Sequence, residues 1–197
     1  MSVAIILLLF VSFYLIKAEA SSYRWSASID RSTGIAKSRE SSTIPPMSQL
    51  AKQSSAQAIF SCYPQWLCTG KVSLGLLKAR KQQDGSTSVQ DRLFGLHLLR
   101  FGKHKCMGNN SICIPLTGGI MALSDDGQNY GSLVFSTLQE GKIMETEIDH
   151  GYRPTIAGKA PVSHFRAWTY RSSQSLLHAY VMWRFHGYCY NAIDPLE

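Results

Sequence analysis

A chain of 197 residues, 177 of them beyond an apolar leader, suffices for one domain and is too short for two well-filled cores. Its net charge of +7 admits nucleic acid, anionic glycans or membrane head groups as partners, but no compact run of Lys and Arg singles one out. The charge is segmented, with 13 basic and 4 acidic residues over 21–123, then 1 and 6 over 124–149, then 5 and 2 to the end.

Residues 1–20 carry an uncharged, mostly apolar run from Val3 to Ile16, about 21 Å as a helix and so short of a bilayer core of about 30 Å. Lys17 and the small-x-small triplet Ala18-Glu19-Ala20 follow, so the expectation is a cleaved signal peptide and a secreted, extracellular or cell-surface chain starting at Ser21. Residues 21–56 hold eleven serines, Pro45-Pro46 and few large apolar residues. They read as a flexible arm, linker or pro-segment unable to offset its own ordering entropy. Within it, Tyr23 to Ile29 alternates as a short strand would, and a short helix near Ser48 to Ala58 is the other local candidate.

Residues 57–197 read as a single β-rich domain of short apolar runs separated by turn chemistry: Ala58–Tyr63, Leu67–Leu77, Leu93–Phe101, Ile112–Leu123, Ser132–Gln139 and Lys142–Ile148. Asp84-Gly85 and Glu140-Gly141 mark hairpin tips, and Asp125 to Asn129 an acidic turn. The last stretch, residues 164–190, holds eight of the 21 aromatic residues and three of the six histidines, making it the expected core. Alternation from Leu177 to Tyr190 reads as a strand, with Leu177, Ala179, Val181, Trp183, Phe185, Gly187 and Cys189 inward; a helix over Ser173 to Trp183 stays open. The expected fold is all-β, with α+β as the alternative: an antiparallel sandwich or barrel of about seven to nine strands, stapled by disulfides.

Five cysteines fit an oxidising compartment, and short loops close most readily, so the expected pairs are Cys62 with Cys68 and Cys106 with Cys113. Cys189 is left over, for burial or for pairing between chains. Neither spacing suits a zinc knuckle, and no metal or other cofactor is expected. Asn109-Asn110-Ser111 is a glycosylation sequon within the second cysteine loop.

Asp149-His150-Gly151-Tyr152-Arg153-Pro154 and Ser163-His164 resemble the Gly-Tyr-Arg and Ser-x-His segments of zinc D-alanyl-D-alanine peptidases. The resemblance covers about fifteen residues. Arg171 stands where that family needs an aspartate, so its ligands are not carried over.

Two functional expectations remain. The first is an interaction protein that meets an extracellular protein or anionic glycan through a basic and aromatic face of Arg166, Arg171, Tyr180, Arg184, His186 and Tyr188, residue types that dominate binding hot spots. The second is a small hydrolase cleaving phosphodiesters as secreted ribonucleases do, with His150 or His164 and Glu147 as acid and base and Arg153 holding phosphate. No local spacing forces chemistry, so binding is the preferred reading and catalysis the alternative.

Overall fold

The computed structural model describes residues 22–43, 53–108, 110–124, 127–138, 143–149 and 151–193. The strands are β1 (Arg24–Ile29), β2 (Ala36–Thr43), β3 (Leu77–Lys81), β4 (Thr87–Asp91), β5 (His97–Phe101), β6 (Lys105–Cys106), β7 (Ser111–Gly118), β8 (Ala122–Leu123), β9 (Ser132–Leu138), β10 (Ile143–Asp149) and β11 (Arg153–Pro154). The helices are α1 (Gln53–Ser61), α2 (Tyr63–Trp66), α3 (Gly70–Ser73), α4 (His164–Ser172) and α5 (Gln174–Ile193).

Nine strands form one antiparallel sheet in the order β1-β2-β10-β9-β7-β5-β4-β3, with β6 paired to β7; β8 and β11 make a separate two-stranded ribbon. Mostly antiparallel β therefore holds, in the α+β form. Helices, rather than a second large sheet, cover the inner face.

That inner face follows from alternation. Along β7, Ile112, Ile114 and Leu116 are buried and their neighbours are not; β9 contributes Leu133 and Phe135, and β10 contributes Met144 and Ile148. The register sets Ile112 opposite Phe135 and Ile114 opposite Leu133, so the rows meet side by side. Phe135 packs on Phe60 of α1, Tyr63 of α2 and Phe185 of α5, with ring centroids 5.3–5.6 Å apart. Trp66 adds a contact to Phe185 at 4.9 Å. Each such ring contributes about 1.5–3 kcal/mol by burial.

The closing stretch is two helices, not strands. Ser163 caps α4 by accepting the Arg166 N–H at 3.3 Å. In α5 the buried residues are Ser175, Ala179, Met182, Phe185, His186 and Cys189, a 3.6-residue stripe laid on the sheet. The apparent two-residue alternation of this segment is broken by that stripe, which takes Met182 and His186 from the set expected outward. Phe165 to Tyr170 is likewise helix, and Ala58 to Ser61 is the end of α1.

Within the expected arm, β1 coincides with the short strand read at Tyr23 to Ile29, whereas β2, read as irregular, is a sheet strand lying between β1 and β10. β2 has no large apolar residue. It is ordered by backbone pairing on both edges and by Ala36, Ser38, Glu40 and Ser42 beneath the helices. The expected leader and residues 44–52 lie outside the described residues.

All five cysteines are unpaired in this structure, so the expected staples find no support in it. The register pairs Cys106 with Ile112 and Lys105 with Cys113, so the thiols of Cys106 and Cys113 leave opposite faces of the ribbon. Cys62 and Cys68 are separated by continuous helical turns, with Trp66 N–H bonded to the Cys62 carbonyl and Cys68 N–H to that of Gln65.

Candidate interaction surface

Helical geometry redistributes the expected binding residues. Tyr180, Arg184 and Tyr188 recur every four residues and share one face of α5, where Tyr180 and Arg184 are half-buried and Tyr188 is exposed. Tyr188 rests on Trp66 and Phe185, with centroids 5.9 and 6.1 Å away. His186 is removed from this face. It is buried between α5 and the sheet, with Nδ1 2.7 Å from Ser42 Oγ and Nε2 2.9 Å from Thr146 Oγ1, and the Tyr23 ring stands edge-on to it.

Both hydroxyls can donate or accept, so a neutral imidazole is satisfied in either tautomer. Burial, reinforced by nearby His178, drives the His186 pKa from 6.5 down to about 3. Next to it lies Glu40, fully buried and pointing inward from β2. His178 Nε2 stands 3.4 Å from Glu40 Oε1, close enough for an ion pair but without hydrogen-bond geometry, and neither Glu40 oxygen has a hydrogen-bond partner among the described residues. Desolvation first, then the Glu40 charge, raises the Tyr23 and Tyr63 hydroxyl pKa values, and the same causes push Tyr170 to about 12. The interior thus holds a sealed polar cluster. No three His, Cys, Asp or Glu side chains among the described residues are grouped to hold a metal ion.

The residues proposed for hydrolysis occupy separate elements. Glu147 is on the outer face of β10 with Arg39 Nε 3.4 Å away, in a shallow groove of about 330 Å³ lined by Ser26, Ser28, Lys37 and Arg39. Arg39 also donates to Glu145 at 2.8 Å. Arg153 belongs to the β8–β11 ribbon, and His164 is exposed at the start of α4. His150 and the sequon residue Asn109 lie outside the described residues; the neighbours of Asn109, Gly108 and Asn110, are exposed between β6 and β7. Glu147 is paired with Arg39 on the neighbouring strand β2.

What does gather at the surface is the outer face of α4. Only Ala167 and Tyr170 of this helix are buried. Phe165 and Trp168 are 73% and 63% exposed and stack on each other, with centroids 6.2 Å apart and an interplanar angle of 28°. His164, Arg166 and Arg171 are exposed on the same short helix, whose nine residues contain no acid. Arg166 and Arg171 thus lie on the same helix as the two exposed rings. Those rings, Phe165 and Trp168, were legible only as core residues, because a strand period hides their i, i+3 relation.

No protein-family profile and no curated protein matches the chain. Among solved structures, CalU16 from Micromonospora echinospora aligns over 89% of this chain and 98% of its own, at 11% identity and a TM-score of 0.30. That likeness is too low to carry an argument about fold or function.

Proposed function

We propose that this protein is a secreted or cell-surface interaction module that binds an extracellular protein or anionic glycan through α4, without catalysing a reaction. One observation carries the reading: two stacked, solvent-exposed aromatic rings, Phe165 and Trp168, are flanked by Arg166 and Arg171 on an acid-free helix. Large aromatic rings in water are costly unless a partner covers them, and Arg beside Trp is a frequent composition of binding hot spots. The apolar leader and the exposed neighbours of the Asn109 sequon support an extracellular setting. The hydrolase alternative has no comparable observation behind it: Glu147 is paired with Arg39, and His164 is exposed at the start of α4.

The test is binding to immobilised heparin, as a sulfated glycan probe, and to a panel of extracellular proteins, with Trp168→Ala and Arg171→Glu compared against the parent. Salt-sensitive binding that falls at least tenfold in both variants, with RNA, glycan and peptide left uncleaved, is the expected result. Turnover abolished by His164→Ala would replace this reading with the hydrolytic one.

A further inference from the structure

A second exposed apolar surface is formed by elements other than α4. The turn joining β4 to β5 presents Leu93 and Phe94, 68% and 74% exposed, followed by Leu96. The segment leading into β3 brings Leu74 and Leu76 to the same end, since Arg92 N–H donates to the Leu76 carbonyl at 2.8 Å. Ile120 joins them through its N–H bond to the His97 carbonyl. Six large apolar side chains thus face solvent around one end of the sheet, more than scattered surface exposure accounts for.

The turn is held in this presentation. Asp91 Oδ1 accepts the Phe94 N–H and Oδ2 the Leu96 N–H, both at 2.6 Å, while Asp91 N–H donates to the Leu96 carbonyl. These bonds hold the Asp91 carboxyl below its ordinary pKa, with the Phe94 N–H as the chief cause. Leu93 and Phe94 therefore project from a clipped loop that cannot easily fold back onto the sheet. Leu74 adds to this, being a non-glycine residue at φ 52°, in the left-handed region that disfavours branched side chains.

The charge around this end selects the occupant. Residues 70–105 contain eight basic and two acidic residues, of which Lys81, Lys103 and Asp84 lie towards the β3–β4 turn at the opposite end of the strands. Lys78, Arg80, Arg92 and Arg100 are exposed on β3, the turn and β5 behind the apolar tip, and Arg92 is fixed by its Nε bond to the Leu77 carbonyl. Of the two acids, Asp91 is the one near the tip, and its oxygens are already engaged by backbone N–H groups. An apolar point backed by cations matches the cross-section of an anionic bilayer, where side chains enter the acyl boundary while Lys and Arg remain at the phosphate level.

We propose that the end of the sheet formed by Leu74, Leu76, Leu93, Phe94, Leu96 and Ile120 docks on anionic membrane surfaces, independently of the α4 face. None of the described helices is long and apolar enough to cross a membrane, so this contact lies on the bilayer rather than spanning it.

The test is co-sedimentation of the full chain with vesicles of pure phosphatidylcholine and of phosphatidylcholine with about one third phosphatidylserine, at 0.1 and 0.5 M NaCl. The parent is expected to bind the anionic vesicles at least tenfold better and to lose most binding at high salt. Leu93→Ser/Phe94→Ser and Lys78→Glu/Arg92→Glu should each reduce binding at least tenfold with an unchanged circular dichroism spectrum. Trp168→Ala should bind vesicles like the parent. Equal binding to both vesicle types overturns the proposal, as does undiminished binding by Leu93→Ser/Phe94→Ser, which would assign the affinity to the apolar N-terminal run. Self-association of the parent that is lost in that variant, without vesicle binding, would make the patch an interface between copies and also overturn it.

Discussion

Acidification should unfold this protein through His186. The ring is 1% exposed and its pKa is held near 3 by burial, against 6.5 when the chain unfolds and the ring meets water. Between those values the unfolded state binds a proton that the folded state refuses, so stability is full above pH 6.5 and is lost as the pH falls towards 3. Each pH unit in that window costs about 1.4 kcal/mol. From pH 7 to pH 5 the loss attributable to this one residue is about 2 kcal/mol, a sizeable fraction of the 5–15 kcal/mol typical of a domain. The assay is urea unfolding followed by circular dichroism at pH 7, 6 and 5, for the parent and for His186→Gln. The glutamine can still meet Ser42 and Thr146 but cannot titrate. Its absolute stability will be lower, so the comparison is of slopes: the variant should lose about 2 kcal/mol less than the parent over this interval. Equal slopes would refute the argument, and so would a His186 ring resonance titrating near pH 6.5.

Four further outcomes follow from packing and exposure. Phe135→Ala removes a fully buried ring that touches Phe60, Tyr63 and Phe185, and should cost about 3–5 kcal/mol in denaturant unfolding. Gly119→Ala should cost at least about 2 kcal/mol, because its φ is +116° and the new Cβ would lie 2.4 Å from the Leu98 carbonyl oxygen and 2.6 Å from Leu99 Cα; unchanged stability would contradict the close approach of this turn to β5. Glu40→Gln replaces a buried carboxyl group whose oxygens have no hydrogen-bond partner among the described residues and should raise the melting temperature at pH 7, whereas a fall of several degrees would identify the Glu40–His178 contact as a net stabilising pair. Thiol titration of the native protein should modify Cys106 first, because it is exposed, and reach Cys189, whose pKa burial raises, only after unfolding.

Local chemistry made several elements readable in advance. The tip at Asp84-Gly85 closes the β3–β4 hairpin, with Gly85 at φ +83° and Ser86 bonded to the Asp84 carboxylate. β7, β9 and β10 follow from two-residue alternation of large apolar side chains, which is visible in any sequence that buries one sheet face. On α4, Arg166 and Arg171 could be picked out by residue type. Their aromatic companions could not, since exposure depends on which period the segment adopts.

Three things were decided only by tertiary structure. Residues 174–193 satisfy both periods on paper, and it is the sheet's inner surface that selects the helix by accepting Met182, Phe185 and His186 on one stripe. β2 carries Ala, Ser and Glu where a strand signal needs branched or aromatic residues, so its place in the sheet is set by neighbours on both sides supplying hydrogen-bond partners that its own side chains do not announce. The cysteines were grouped by sequence separation, a measure of loop entropy alone. Whether two thiols can meet depends also on which way their Cβ atoms point, and that direction is fixed only once Cys106 and Cys113 enter a register and Cys62 to Cys68 coil into helical turns.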